Sequence, residues 1–264
     1  MHVYRDEIDG LRAVAVIPVI LYHAGFYRFF AGGYVGVDIF FVISGYLITS
    51  VIEGECDNQK FSLVHFYERR CRRILPALFL ILFLSSIFAY YWMAPHQLNE
   101  YGHTLISILF LSSNVFFWWK DDDYFSKLSE LNPLVHTWSL AVEEQFYLVF
   151  PLLCYCFSQK KLCLFVVLIY LALVSFFLAQ WGGNLNWLDH RQFKLFAQHP
   201  WATFYLPLGR IWELLLGSFT TFYLRSKRSN KSVCLLLQSK RYMSNFHSIE
   251  ITITNGRNSW PFSV

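Results

Sequence analysis

The chain has 264 residues, of which 55% are hydrophobic, 20% aromatic and only 15% charged. A soluble domain of this length carries about a quarter charged residues, so the composition excludes an ordinary soluble fold and points to an integral membrane protein. The net charge of +4 is modest; no nucleic-acid partner is expected, and in a membrane protein such a charge mainly reports orientation.

The N-terminus, "MHVYRDEIDGLR", mixes acids and bases, and the apolar run after it lacks a small-residue cleavage site. It is therefore expected to act as an uncleaved anchor. Apolar segments follow near residues 11–30, 36–52, 75–93, 103–119, 138–157, 162–180 and 203–224. Each is close to the length of about 20 residues that crosses a bilayer as a helix.

Three connecting stretches are basic: "ERRCRR" at 68–73, "QKK" at 159–161 and "RSKRSNK" at 225–231. The positive-inside rule assigns all three to the cytoplasm, which seven full crossings cannot satisfy. Demoting segment 103–119 resolves the conflict. It is short, carries Ser107, Ser112, Ser113 and Asn114, and ends in an aromatic run suited to the membrane interface. The expectation is an all-α polytopic protein with six crossings, one interfacial or re-entrant helix and a cytoplasmic N-terminus; seven spans are the alternative. The acidic stretch 120–133 then lies outside. Residues 1–224 form the membrane domain, and the polar tail 225–264, with "VCLLL" and a weakly β-like "IEITIT", receives no domain.

Arg12 and His23 lie eleven residues apart on the first segment. Eleven steps of about 100° return to nearly the same helix face, about 16 Å along the axis. Ionisable groups in an apolar span are costly, so their default reading is functional. With the basic loops inside, Arg12 sits at the cytoplasmic mouth and His23 near mid-membrane, where it can take a proton from a hydroxyl once a partner sets its tautomer. Asp38, expected at comparable depth on the returning span, is the candidate partner. A buried structural His–Asp pair is the competing reading.

Four guanidiniums within five residues, Arg69, Arg70, Arg72 and Arg73, suit a phosphorylated ligand, because each forks onto phosphate oxygens. Taken alone, the cluster is better explained by orientation of the chain and contact with anionic lipid, but Arg12 at the same face tilts the reading toward a ligand site. In "NPLVHTWSLAVEEQFYLVFP", Glu143 and Glu144 lie about two turns past His136. They project about 100° apart, so one can meet substrate while the other pairs with an arginine. Arg210 and Glu213, at i and i+3 in "YLPLGRIWELLLG", share a helix face as a salt bridge or as part of a polar cavity with His136. His96, His103, His190 and His199 read as solvated residues. The six cysteines form neither a disulfide framework nor a zinc-type set, and no metal site is expected.

Five stretches, "YRDEIDGLRAVAVIPVILYHAGF", "GGYVGVDIFFVISGYLIT", "FYERRCRRILPALF", "LNPLVHTWSLAVEEQFYLVFP" and "YLPLGRIWELLLG", occur in an order that resembles the acyltransferase-3 family of membrane acyltransferases, over roughly residues 3–224. The resemblance implies transfer of an acyl group, commonly acetyl, from cytoplasmic acyl-CoA to a hydroxyl of a lipid-linked or surface glycan such as lipopolysaccharide. It implies a bacterial inner-membrane location among membrane lipids and no tightly bound cofactor. Arg12 and His23 match its Arg-x10-His signature. Arg69 and Arg72 match its Arg-x-x-Arg signature, with Arg70 and Arg73 an equally spaced second register; Glu143 or Glu144 matches its acidic position. His23 becomes the base, Asp38 its orienter and the arginines the donor site, with His136, Arg210 and Glu213 on the acceptor side. Direct transfer and an acyl-histidine relay both remain open. Relatives usually have about ten spans, so the chain is expected to be truncated at its C-terminus. A carrier or flippase and an inactive fragment are the alternatives.

Overall fold

The computed structural model describes residues 6–26, 28–120, 132–157, 160–181 and 202–227. The chain divides into two compact units, Met1–Phe219 and Thr220–Val264. In the second unit, residues 220–227 are helical. The "VCLLL" and "IEITIT" runs, most of the acidic stretch, His190 and His199 lie outside the described residues. Everything below concerns the first unit, whose described residues form helices and turns only.

Helix α1 runs Asp6–His23, so its first turn is acidic and His23 is its last residue. The apolar pattern suggested a helix to residue 30, but the helix stops at "HAGF". Gly25 adopts φ +89°, and the Phe26 N–H bonds the Leu21 carbonyl while the Gly25 N–H bonds that of Tyr22. This is the left-handed glycine cap that satisfies the last carbonyls of a helix. His23 therefore sits at the end of its helix.

A 3₁₀ turn, Gly33–Val35, leads into α2, Gly36–Asp57. A Cβ on Gly33 would lie 2.4 Å from the Pro18 carbonyl oxygen, and one on Gly36 would lie 2.1 Å from that of Ala15. The glycines of "GGYVG" thus let α2 pass antiparallel to α1 at backbone contact. That register puts Asp38 toward the Ala15 turn and the Arg12 end of α1. It is not level with His23.

Helix α3, Leu63–Trp92, starts twelve residues before its apolar run. The "ERRCRR" stretch is therefore helix rather than loop. Its residues are good helix formers, and Glu68 pairs with Arg72 one turn on, at 2.6 Å. Beyond Pro76 the helix exposes Phe79, Leu80, Ile81, Phe83 and Phe88, an apolar surface suited to lipid.

Segment 103–119 is not one helix. Helix α4, Pro95–Leu109, ends at a turn, and α5, Ser113–Trp119, leads back. Lys120, just after α5, pairs with Glu100 in the second turn of α4 at 2.8 Å, so the hairpin returns to the end from which it started. Fifteen residues span only about 22 Å, short of the roughly 30 Å hydrocarbon core. Tyr101 ties α4 to α3 through Ser85 at 2.8 Å and Ser86 at 3.0 Å, above a core of Leu78, Leu82, Ile108 and Leu134.

Helix α6, Thr137–Cys156, α7, Lys161–Trp181, the single turn α8, Ala202–Tyr205, and α9, residues 207–219, complete the unit. Among the described residues, three stretches are long and apolar enough to cross a membrane: Gly33–Asp57, Leu63–Trp92 and Lys161–Gln180. The protein is an all-α membrane protein. Cys56, Cys71, Cys154, Cys156 and Cys163 are free thiols.

Helix α9 runs parallel to α2 in close contact. A Cβ on Gly45 would stand 1.8 Å from the Leu214 carbonyl oxygen, and Thr49 donates to Ser218 at 2.8 Å. Because that clash is with backbone, no rotamer change relieves it. Gly45→Ala is expected to force α2 and α9 apart at a cost of about 1–3 kcal/mol or more. Thermal denaturation in detergent should show a lowered midpoint; an unchanged midpoint would refute the contact.

Candidate functional site

The polar residues collect at two levels. At one end of the unit lie the last turn of α1 and the first residues of α6. The His23 and His136 rings meet there edge to face, with centroids 4.7 Å apart and planes at 83°. His23 Nδ1 lies 2.8 Å from the Val19 carbonyl oxygen, one turn back in its own helix. A carbonyl can only accept, so Nδ1 carries the proton and the neutral ring keeps its lone pair on Nε2. The expected tautomer-setting role of Asp38 is filled by this backbone group. Asp38 itself accepts from Arg210 Nη1 at 2.8 Å.

Arg210 holds α2 and α9 together. The same Nη1 donates to Glu213 at 2.9 Å, Nε donates to the Phe204 carbonyl at 3.3 Å, and the guanidinium lies 4.8 Å from the Phe204 ring centroid and 5.8 Å from that of Trp138. Glu213 is only 2% exposed, and its second oxygen, Oε2, is buried without a hydrogen-bond partner. Removing Asp38 or Glu213 would leave the other charges poorly compensated in a low-dielectric setting.

The second level lies two turns along α6, about 10 Å from His136. Tyr147 donates its hydroxyl to Glu143 on the same face of the helix. Arg70 places its guanidinium 4.1 Å from the Tyr147 ring centroid, within cation–π range, and its charge acts on Glu144, whose Oε1 is buried without a hydrogen-bond partner. The four arginines thus diverge. Arg70 turns inward, Arg69 pairs with Glu55 near the end of α2, Arg72 pairs with Glu68 on the surface, and Arg73 is exposed. Arg12 is half-buried over the Phe40 ring at 5.6 Å, and its Nε is buried without a hydrogen-bond partner. The structure therefore brings together His23 with His136, Asp38 with Arg210 and Glu213, and Arg70 with the Glu143–Glu144 turn.

The chain matches the acyltransferase domain family, acyltransferase-3, over residues 5–238. It belongs to the acyltransferase-3 family. Over 153 residues it is 42% identical to the O-acetyltransferase OatA of Staphylococcus aureus (strain NCTC 8325 / PS 47), an alignment that covers 56% of this chain and 24% of that protein. Over 149 residues it is likewise 42% identical to the peptidoglycan O-acetyltransferase OatA of Listeria monocytogenes serovar 1/2a (strain ATCC BAA-679 / EGD-e), again covering 56% of this chain and 24% of the relative. The matched part thus spans about a quarter of the length of these relatives. No solved structure matches.

Two residues of the family-matched α6 motif escaped the sequence reading: Tyr147 and Gln145. Gln145 Nε2 donates to the Leu111 carbonyl at 2.7 Å, and its amide exchanges hydrogen bonds with that of Asn114 at 3.0 and 3.3 Å. Asn114 donates in turn to the Tyr205 carbonyl at 3.2 Å. Leu111 caps α4 in the left-handed region, at φ +53°, where a branched side chain is strained. Gln145 therefore fixes the tip of the α4–α5 hairpin against α6. A polar residue immediately after two glutamates in an apolar run was the available signal.

Gln145→Leu keeps the bulk and removes every one of these hydrogen bonds. With the Leu111 carbonyl left unpaired in an apolar setting, the loss is expected to be about 2 kcal/mol. It should appear as a lower melting midpoint and as proteolytic cleavage near residues 110–112. A variant as stable and resistant as the parent would rule out the latch.

Proposed function

We propose that this chain is the membrane part of an O-acyltransferase that moves an acetyl group from acyl-CoA, bound at the arginine end, to a hydroxyl of a cell-surface glycan at the histidine end. The observation that carries the reading is the His23 ring, whose Nδ1 is tied to the Val19 carbonyl so that Nε2 is the nitrogen able to act as the base, within a chain of this family. Nε2 takes the hydroxyl proton as the oxygen attacks the thioester carbonyl, the chemistry expected of a positioned general base. The basic end faces the cytoplasm, as the positive-inside rule requires, and the histidine end faces outward.

Family membership and the 42% identity to proteins named O-acetyltransferases support acetyl as the transferred group. The name of the Listeria relative favours peptidoglycan over lipopolysaccharide as the acceptor. On the donor side, the inward turn of Arg70 supports the second register of the Arg-x-x-Arg signature. Arg70 and Arg12 meet the buried part of the donor, with Glu144 beside them. Arg69, Arg72 and Arg73 meet its phosphates, Arg69 and Arg72 exchanging their glutamate partners for phosphate oxygens. Asp38, Arg210 and Glu213 form the wall of the acceptor side.

The test expresses the chain in cells lacking surface O-acetylation and measures acetyl groups on the glycan by mass spectrometry. Added acetyl on peptidoglycan is expected, with loss of the signal in His23→Ala. Transfer that survives His23→Ala would sink the assigned base, and no transfer by the parent chain would sink the activity. In membrane vesicles, Arg70→Ala should raise the donor KM about tenfold, the worth of one charged hydrogen bond. Arg72→Ala should raise it less. The reverse order would return the donor site to the first register.

A further inference from the structure

The tether on His23 raises the question of where the hydroxyl proton goes. In the proposed transfer the acceptor O–H bond breaks and its proton moves to His23 Nε2. The acceptor oxygen forms the new ester bond, the thioester C–S bond breaks, and sulfur leaves with the electron pair as thiolate. His23 remains as an imidazolium and must be discharged before it can act again. Turning the ring to present Nε2 elsewhere would break the 2.8 Å bond from Nδ1 to the Val19 carbonyl. The proton therefore leaves toward a group already beside the ring, either the departing thiolate or a neighbouring side chain that discharges His23 once the thiolate has gone with its donor.

His136 is such a group. Its ring centroid lies 4.7 Å from that of His23, and the residue is exposed at the start of α6. The backbone around it is fixed: the Leu134 N–H bonds Asn132 Oδ1 at 3.0 Å, and Ser113 Oγ donates to the Thr137 carbonyl at 3.0 Å. Partial burial of the ring and, after it, the neighbouring His23 hold the His136 pKa down to about 4, so it stands neutral and a proton it receives is passed on at once rather than kept. An imidazole can accept at one nitrogen and release from the other, which suits a ring between a confined base and solvent.

We propose that His136 is the proton outlet of His23, taking the proton from Nε2 and releasing it to water at the histidine end of the bundle. The inference rests on the acyl-transfer reading and goes beyond contact with the acceptor. A residue that merely binds acceptor changes KM; an outlet changes kcat.

The test measures acetyl transfer by membrane vesicles carrying the full chain, with acetyl-CoA as donor and a soluble peptidoglycan disaccharide as acceptor. His136→Ala should lower kcat about a hundredfold, the usual worth of a proton-transferring group, with the acceptor KM unchanged. Added imidazole should restore kcat in the same vesicles, which also shows that the variant has folded. His136→Phe keeps a ring against His23 without a nitrogen and should stay slow with or without imidazole; His136→Gln should be equally slow. A His136→Phe chain as fast as the parent would reduce the contact to packing. A raised acceptor KM at unchanged kcat would reduce it to acceptor binding. Activity in the parent together with either result overturns the outlet alone, whereas a parent chain without transfer removes the underlying reaction and the outlet with it.

Discussion

A bilayer offers no hydrogen-bond partners, so polar groups drawn into this bundle look for their answers within the protein. The arrangement of the helices follows from those answers. Arg210 is the clearest case: one nitrogen takes Asp38 from α2 and Glu213 from its own helix, another takes a backbone carbonyl, and two aromatic faces enclose the rest. That cluster, with the Thr49–Ser218 bond two turns further on, fixes α9 along α2. Small residues make the proximity possible, since Gly45 has no side chain to hold the backbones apart. Charge, hydroxyl and glycine thus act on one interface. Their joint effect is to keep α2 in place beneath both α1 and α6.

With α2 fixed, the two levels of the site lie about 10 Å apart along α6. Arg70, Tyr147 and the two glutamates occupy the level nearer the basic end, and His23 and His136 the other. A donor with a charged head and a long flexible arm suits such a spacing, because the head can be held while the reactive end reaches the base. The proposed reaction needs this separation. Held at one level, the arginines would sit beside a histidine that has to take up a proton, and their charge would discourage its protonation.

Helix faces were readable from spacing, whereas ends and partners were not. The eleven-residue interval between Arg12 and His23 placed both on one side of α1, and the helix confirms them in one element. The end of α1 was also encoded, in Gly25, but continuing apolar residues masked it. The hairpin turn had no such mark: Leu111 takes the left-handed conformation without being glycine, and only a partner from α6 makes that tolerable. Asp38 was sequence-adjacent to the right glycines yet packs toward the Arg12 end of α1 and not beside His23, a difference decided by where Gly33 and Gly36 rest on α1. Among four arginines within five residues, spacing alone could not say which one turns inward. Tyr147 decides it, and its aromatic face appears only once α3 and α6 have packed.

Three consecutive residues of α6 show how tightly these requirements are joined. Glu143, Glu144 and Gln145 project about 100° apart and so address three directions. Glu143 accepts the Tyr147 hydroxyl, Glu144 faces the charge of Arg70, and Gln145 secures the hairpin through Leu111 and Asn114. One helical turn therefore links the arginine level to the hairpin tip, and Asn114 carries the link on to Tyr205. A rotation of α6 that improved one of these contacts would break the other two. The strained Leu111 is stable for the same reason. Its carbonyl has a single well-placed donor, and that donor cannot move without disturbing the glutamates that precede it.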